Sequence, residues 1–170
     1  YAEAMHNRGI VLQALERFDE ALASYDEALR IKPDYAEAMN ARGIVLQALK
    51  RFDEALTSFD GALRIKPDYV EALNNRGNVL QSLKRFDESL TNFDEALRIQ
   101  PNYTEALNNR GLTLQALKRL DDALTSFDGA LRIKPDYAEV LNNRGNVLKT
   151  LNRYDEALTS YDTALRIKPD

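Results

Sequence analysis

YAEAMNARGIVLQALKRFDEALTSFDGALRIKPD, residues 35–68, is a passage that the chain repeats with small changes along its length. Tyr1, Tyr35, Tyr69, Tyr103 and Tyr137 stand 34 residues apart, and so do Gly9, Gly43, Gly77, Gly111 and Gly145. Pro33, Pro67, Pro101, Pro135 and Pro169 keep the same step. Five periods fill all 170 positions, giving repeats 1–34, 35–68, 69–102, 103–136 and 137–170 of a single domain over 1–170. A fixed period of this length marks an array in which each unit stacks on the next to bury what it cannot bury alone.

Each unit reads as two helices. Asp34 followed by Glu37 looks like an N-cap with its capping-box partner, and Asp68 with Glu71, Asn102 with Glu105 and Asp136 with Glu139 repeat the signal. Ala38, Met39, Val45, Leu46 and Leu49 then share a face at helical spacing. After a polar turn at Lys50-Arg51, a second helix from about Phe52 to Ile65 buries Phe52, Ala55, Leu56, Phe59, Ala62 and Leu63. Arg64 and Lys66 suit its negative end, and Pro67 stops it. The expected fold class is all-α.

These residues resemble the tetratricopeptide repeat, and the resemblance covers the whole chain. Its marks are a small residue at the helix crossing, a facing alanine, an aromatic, a second alanine and a closing proline, here Gly43, Ala55, Phe59, Ala62 and Pro67 with counterparts in every unit. Small residues let helix axes approach closely. Departures are minor: Met5, Met39, Leu73, Leu107 and Leu141 stand where the family often has tryptophan, and Ser89 replaces one alanine. The resemblance implies an α-solenoid, a right-handed superhelix whose first helices line a concave groove for extended segments of partner proteins.

A helical wheel puts Glu37, Asn40, Ala41, Ile44, Gln47 and Ala48 opposite the apolar face. That face is rich in amides, although asparagine is a poor helix former. LNNRGNVL occurs at both 73–80 and 141–148. An amide offers a donor and an acceptor, as does each peptide unit, so asparagine can hold a main chain without reading side chains. The candidate peptide-binding residues are Asn7, Asn40, Asn74, Asn75, Asn78, Gln81, Asn108, Asn109, Gln115, Asn142, Asn143, Asn146 and Lys149. Asn7, Asn75, Asn109 and Asn143 share one repeat position, interrupted by Ala41. The row is similar to one that holds peptide backbone in the repeat domain of O-GlcNAc transferases. Glu3, Glu37, Glu71, Glu105 and Glu139 tilt selection weakly toward basic partners. The family's carboxylate clamp needs lysine and arginine on this face, and only His6 and Lys149 are basic there.

Arg8, Arg42, Arg76, Arg110 and Arg144 fall on the apolar side, where the family usually has leucine. Arginine is seldom buried unpaired. Asp26, Asp60, Asp94, Asp128 and Asp162 recur at the border of the second helix's buried face. Each arginine is therefore expected to pair with one of these aspartates, within its unit or across to a neighbour.

Other chemistry is thin. The net charge of −4 is spread over all five units, so no basic face suits nucleic acid. No apolar run is long enough to cross a membrane. There is no cysteine, and His6 is the one histidine, so neither metal nor cofactor is expected. Acidic pairs such as Asp19-Glu20 and Asp53-Glu54 complement helix dipoles and do not read as acid/base dyads. An enzyme is not expected. The compartment stays open, the cytoplasm being favoured; Tyr1 in place of Met points to an excised or processed segment. The leading function is a protein-interaction scaffold. The alternative is a structural or designed array that self-associates head-to-tail, with Leu158, Leu165 and Ile167 near an uncovered end.

Overall fold

The computed structural model describes residues 1–168, which form ten α-helices. Pro169, the last of the proline row, lies outside the described residues, as does Asp170. The chain forms two compact units, Tyr1–Leu83 and Lys84–Asp170. The first holds α1 (Ala2–Ala14), α2 (Phe18–Ile31), α3 (Ala36–Ala48), α4 (Phe52–Ile65) and α5 (Val70–Ser82). The second holds α6 (Phe86–Ile99), α7 (Thr104–Ala116), α8 (Leu120–Ile133), α9 (Ala138–Thr150) and α10 (Tyr154–Ile167).

The helix starts differ from the sequence expectation. α3, α5, α7 and α9 are preceded by Tyr35, Tyr69, Tyr103 and Tyr137 at the N-cap, and none has a side-chain capping bond. Asp34 is instead a turn residue: Tyr35 N donates to Lys32 O at 3.2 Å, closing a four-residue turn with Pro33 and Asp34 at its centre. Pro33 supplies the fixed φ that such a turn wants at its second position, and this moves the aspartate one residue too far upstream to cap. The same bond recurs from Tyr69 to Lys66, Tyr103 to Gln100 and Tyr137 to Lys134.

Inside each hairpin the turn is tighter. Lys50 has a left-handed φ of 59°, Lys50 N reaches Gln47 O at 2.9 Å, and Arg51 N reaches Leu46 O at 2.8 Å. That pattern satisfies the last carbonyls of α3 and fixes the reversal into α4.

Each unit has its own apolar core. In the first, Leu12, Leu22, Tyr25, Val45, Leu46, Phe59 and Leu80 come together. Leu114, Leu124, Phe127, Val140, Val147 and Leu148 do so in the second. Close approach at the crossing depends on glycine. A Cβ on Gly43 would lie 2.6 Å from Phe59 Cε1, and one on Gly145 would lie 2.5 Å from Tyr161 Cε1.

Candidate functional site

In the first unit α3 touches both α1 and α5, and in the second α7 touches α9, so first helices lie side by side within each unit. This layer carries the amides, but not as an open row. Asn40, Asn74 and Asn108 are only 7%, 5% and 3% exposed. Ala41 and Ile44, expected on the wet face, pack against the apolar core of the first unit. A wheel drawn for an isolated helix misplaces them because an inner first helix is flanked by its own second helix, the preceding hairpin and its neighbours in the layer. Only a narrow strip, including Glu37 and Ala48, stays exposed on α3.

Buried and half-buried amides are tied together between repeats. Asn75 Nδ2 donates to Asn40 Oδ1 at 3.1 Å, and Asn143 Nδ2 donates to Asn108 Oδ1 at 3.0 Å. Asn40 Nδ2 in turn donates to Tyr69 Oη at 3.4 Å, and Asn108 Nδ2 to Glu139 Oε1 at 3.4 Å. The partners are 35 positions apart, one more than the repeat, which is why the doublet Asn-Asn serves both ends of the bond.

The remaining candidates are dispersed. Asn7, Asn142 and Lys149 are exposed, while Asn78, Gln81, Asn109, Gln115 and Asn146 are half-buried. Asn146 Oδ1 accepts from Tyr161 Oη at 2.9 Å, which ties it to the second helix of its hairpin.

The arginines bridge helices. Arg42 Nε lies 2.6 Å from Asp26 Oδ1, Arg76 2.7 Å from Asp60, Arg110 2.6 Å from Asp94 and Arg144 2.6 Å from Asp128. Each of these joins a first helix to the second helix of the preceding hairpin. Arg42, Arg110 and Arg144 also donate through Nη1 to Ser58, Ser126 and Ser160 in their own hairpins, at 2.7 Å each. One guanidinium therefore fastens three helices, using its fork of donors. The sequence did carry a signal for the serines, which stand 16 residues after the arginine in four units. Arg8 departs from the expected pairing: it donates to Ser24 Oγ and makes no ion pair among the described residues. Asp162 likewise makes none. The reason is geometric, since each pair spans two consecutive repeats and these two side chains belong to the first and the last.

His6 is the repeat equivalent of Asn40, Asn74 and Asn108. Its ring lies 5.7 Å from that of Tyr25 and 5.0 Å from that of Tyr35, and its Nδ1 is buried without a hydrogen-bond partner. Burial pushes its pKa below the ordinary value, against the opposing pull of Glu37 and Glu3. Tyr25, buried at the crossing, is pushed up to about 12 by burial. Among the described residues no group of three His, Asp or Glu side chains could hold a metal ion. No helix there is long and apolar enough to cross a membrane.

The tetratricopeptide-repeat family model matches residues 1–68, 34–100, 68–133 and 102–170, and the chain belongs to that family. No curated protein sequence matches it. Among solved structures, YrrB, described as a TPR protein with an unusual peptide-binding site, is 28% identical with a TM-score of 0.77. That match covers 100% of this chain and 88% of YrrB. A thermophilic TPR protein of Thermus thermophilus is 25% identical with a TM-score of 0.82, covering 100% of this chain and 93% of that one. PilF of Pseudomonas aeruginosa, at 24% identity, has a TM-score of 0.90 over 97% of this chain and 75% of its own.

Proposed function

We propose that this chain is a non-catalytic scaffold that holds an extended segment of a partner protein against the first helices of a unit. Members of the family generally mediate protein–protein interaction, and YrrB is a structural relative with a peptide-binding site. The observation that carries the reading is the anchored amide. Asn75 and Asn143 each spend one N–H on a buried asparagine of the preceding repeat. Each keeps a second N–H and its own oxygen for a ligand. An amide held in place by a buried partner loses little freedom on binding, so a bond to a peptide unit costs less ordering than one from a free surface side chain.

Such a surface grips main chain, so it favours loose sequence selectivity. Exposed Glu37, Glu71, Glu105 and Glu139 add a weak preference for basic segments. The test is binding to a diverse peptide library by the native chain and by a variant with Asn75, Asn109 and Asn143 all changed to Ala, with helicity and urea midpoints measured on both. Binding lost at unchanged helicity supports the amides as the gripping groups. Equal binding by the two proteins would remove them from the site, and no binding by the native chain would sink the reading.

A further inference from the structure

We propose that the segment held by each unit carries an aliphatic side chain, received by an apolar strip on one first helix while the amides of the next first helix hold the main chain. This rests on the peptide-binding reading above and narrows the loose selectivity of the amides to one class of partner. The open strip of a first helix is made of positions 7 and then 4 residues apart, which share a helix face. On α3 that strip reads Glu37, Ile44 and Ala48, and on α5 it reads Glu71, Asn78 and Ser82. On α7 it reads Glu105, Leu112 and Ala116, and on α9 it reads Glu139, Asn146 and Thr150. The carboxylate is common to these four helices, whereas the other two positions alternate between apolar and polar. Each unit therefore sets an apolar strip beside an amide strip on first helices that touch, α3 with α5 and α7 with α9.

Packing does not by itself require an aliphatic residue at these places. Ile44 and Leu112 are half-buried and pack against the core of their own unit, but Asn78 and Asn146 are half-buried at the same repeat position. Nor does the aromatic of the second helix dictate the choice. Phe59 and Phe127 accompany Ile44 and Leu112, yet Phe93 accompanies Asn78. Asn146 accepts from Tyr161 Oη, and Phe93 has no hydroxyl to hold Asn78 in that way. What the strips differ in is the surface they offer a ligand. Packed helix axes stand about 8–10 Å apart and an extended chain advances about 3.4 Å per residue. The residue over the apolar strip and the stretch over the amides are then about three positions apart. Glu37 precedes Ile44 by two helical turns, about 10 Å, within reach of a long basic side chain placed near the aliphatic one. Glu37, Glu71, Glu105 and Glu139 are all exposed, so the edge of every strip is acidic. The occupant that fits both features is an extended segment with an aliphatic residue and a lysine or arginine within two positions of it.

Selection from a random library of short, end-blocked peptides, followed by fluorescence-anisotropy titration of the selected sequences, tests this. Peptides taken by the native chain are expected to share an aliphatic residue with a basic residue close to it. Replacing that aliphatic residue by alanine is expected to weaken binding about tenfold. Ile44→Asn combined with Leu112→Asn gives both apolar strips the residue that α5 and α9 already carry. The double variant is expected to lose the aliphatic preference while still binding peptides through its amides. Asn78→Ile is the reverse exchange, and it is expected to add a second aliphatic position about three residues from the first. Far-UV circular dichroism checks that each variant is folded; should the double variant unfold, Asn78→Ile decides alone, and no added position overturns the inference. Native binding without an aliphatic preference, or with acidic neighbours in place of basic ones, overturns it and leaves the scaffold reading standing. So does a folded double variant that keeps the preference. No peptide bound by the native chain sinks both readings together.

Discussion

Gly111→Ala and Gly129→Ala make the same chemical change in adjacent helices of the second unit, and the second is expected to be the more stable variant. Both positions lie inside helices, α7 and α8, so alanine gains about 0.8–1.0 kcal/mol of helix propensity at each. At Gly129 the new methyl would meet Leu107 Cδ2 at 3.5 Å, an ordinary contact, so the gain survives. At Gly111 it would stand 2.5 Å from Phe127 Cε1 and 2.8 Å from Cδ1 and Cζ. Carbon atoms prefer roughly 3.5–4.0 Å, so the ring has to retreat by about 1 Å. Phe127 is fully buried, so the ring can retreat only by displacing packed neighbours. Overpacking of that kind costs about 1–3 kcal/mol, offsetting the propensity gain or exceeding it. Since the gain is common to both variants, the difference between their stabilities reads the collision alone, about 1–3 kcal/mol. Urea unfolding followed by circular dichroism measures it. Adding Phe127→Leu to Gly111→Ala should recover part of the loss, with a coupling above about 0.5 kcal/mol. Equal stability of the two alanine variants would show that the glycine row is not held by the aromatic ring.

Stability should also fall on acidification through His6. Its folded pKa lies below the ordinary 6.5 because of burial, so the unfolded chain takes the proton first. Stability is then full above pH 6.5 and declines as pH drops from 6.5 toward the folded value, with no further loss below it. Urea midpoints across that window check this, and His6→Gln should flatten the slope; an NMR titration giving His6 a pKa at or above 6.5 would refute it. In the arginine clamp, Asp94→Ala should cost about 0.5–1 kcal/mol, since the carboxylate side chain is 57% exposed. Arg110→Ala should cost more, about 2 kcal/mol, because its packed stem and its bond to Ser126 go with the charge. The reverse order in urea melts would count against a three-helix clamp.

The period and the helix pairs were legible because they follow from spacing within one repeat. The second helix expected from about Phe52 to Ile65 is α4, Phe52–Ile65, stopped where Pro67 ends the propagating backbone bonds. The first helix was legible only in part. Its capping signal failed because Pro33 commits Asp34 to a turn, a competition that a capping pattern read alone does not weigh. Its polar face failed for a different reason. Asn40 and Asn108 are buried by bonding to Asn75 and Asn143, residues of the next repeat at an offset of 35, and a wheel for one helix contains no term for its neighbour. The serines that complete the arginine clamp were equally present in the repeat, but weak helix formers on a second helix give no reason by themselves to look for a charge.

The doublet Asn-Asn is therefore first a device for joining repeats, and the junction where it is missing shows what it does. His6 holds the accepting position of the first repeat, and Ala41, 35 residues on, holds the donating position of the second. Both halves of the amide pair are absent there together, and His6 Nδ1 is left buried without a partner. A buried acceptor with no donor costs about 1–3 kcal/mol. Ala41→Asn places a side-chain N–H where Asn75 and Asn143 carry theirs, at a loss of about 0.6 kcal/mol in helix propensity. The net expectation is a gain of about 0.5–2 kcal/mol, read as a higher urea midpoint. The cause is isolated by repeating the substitution in a His6→Ala background. There no acceptor remains, and Ala41→Asn should then destabilise, through its propensity loss and the apolar contact that Ala41 makes with the core of the first unit. A gain of the same size with and without His6 would mean that the new amide acts elsewhere, and that the pairing of asparagines between repeats does not explain the buried row.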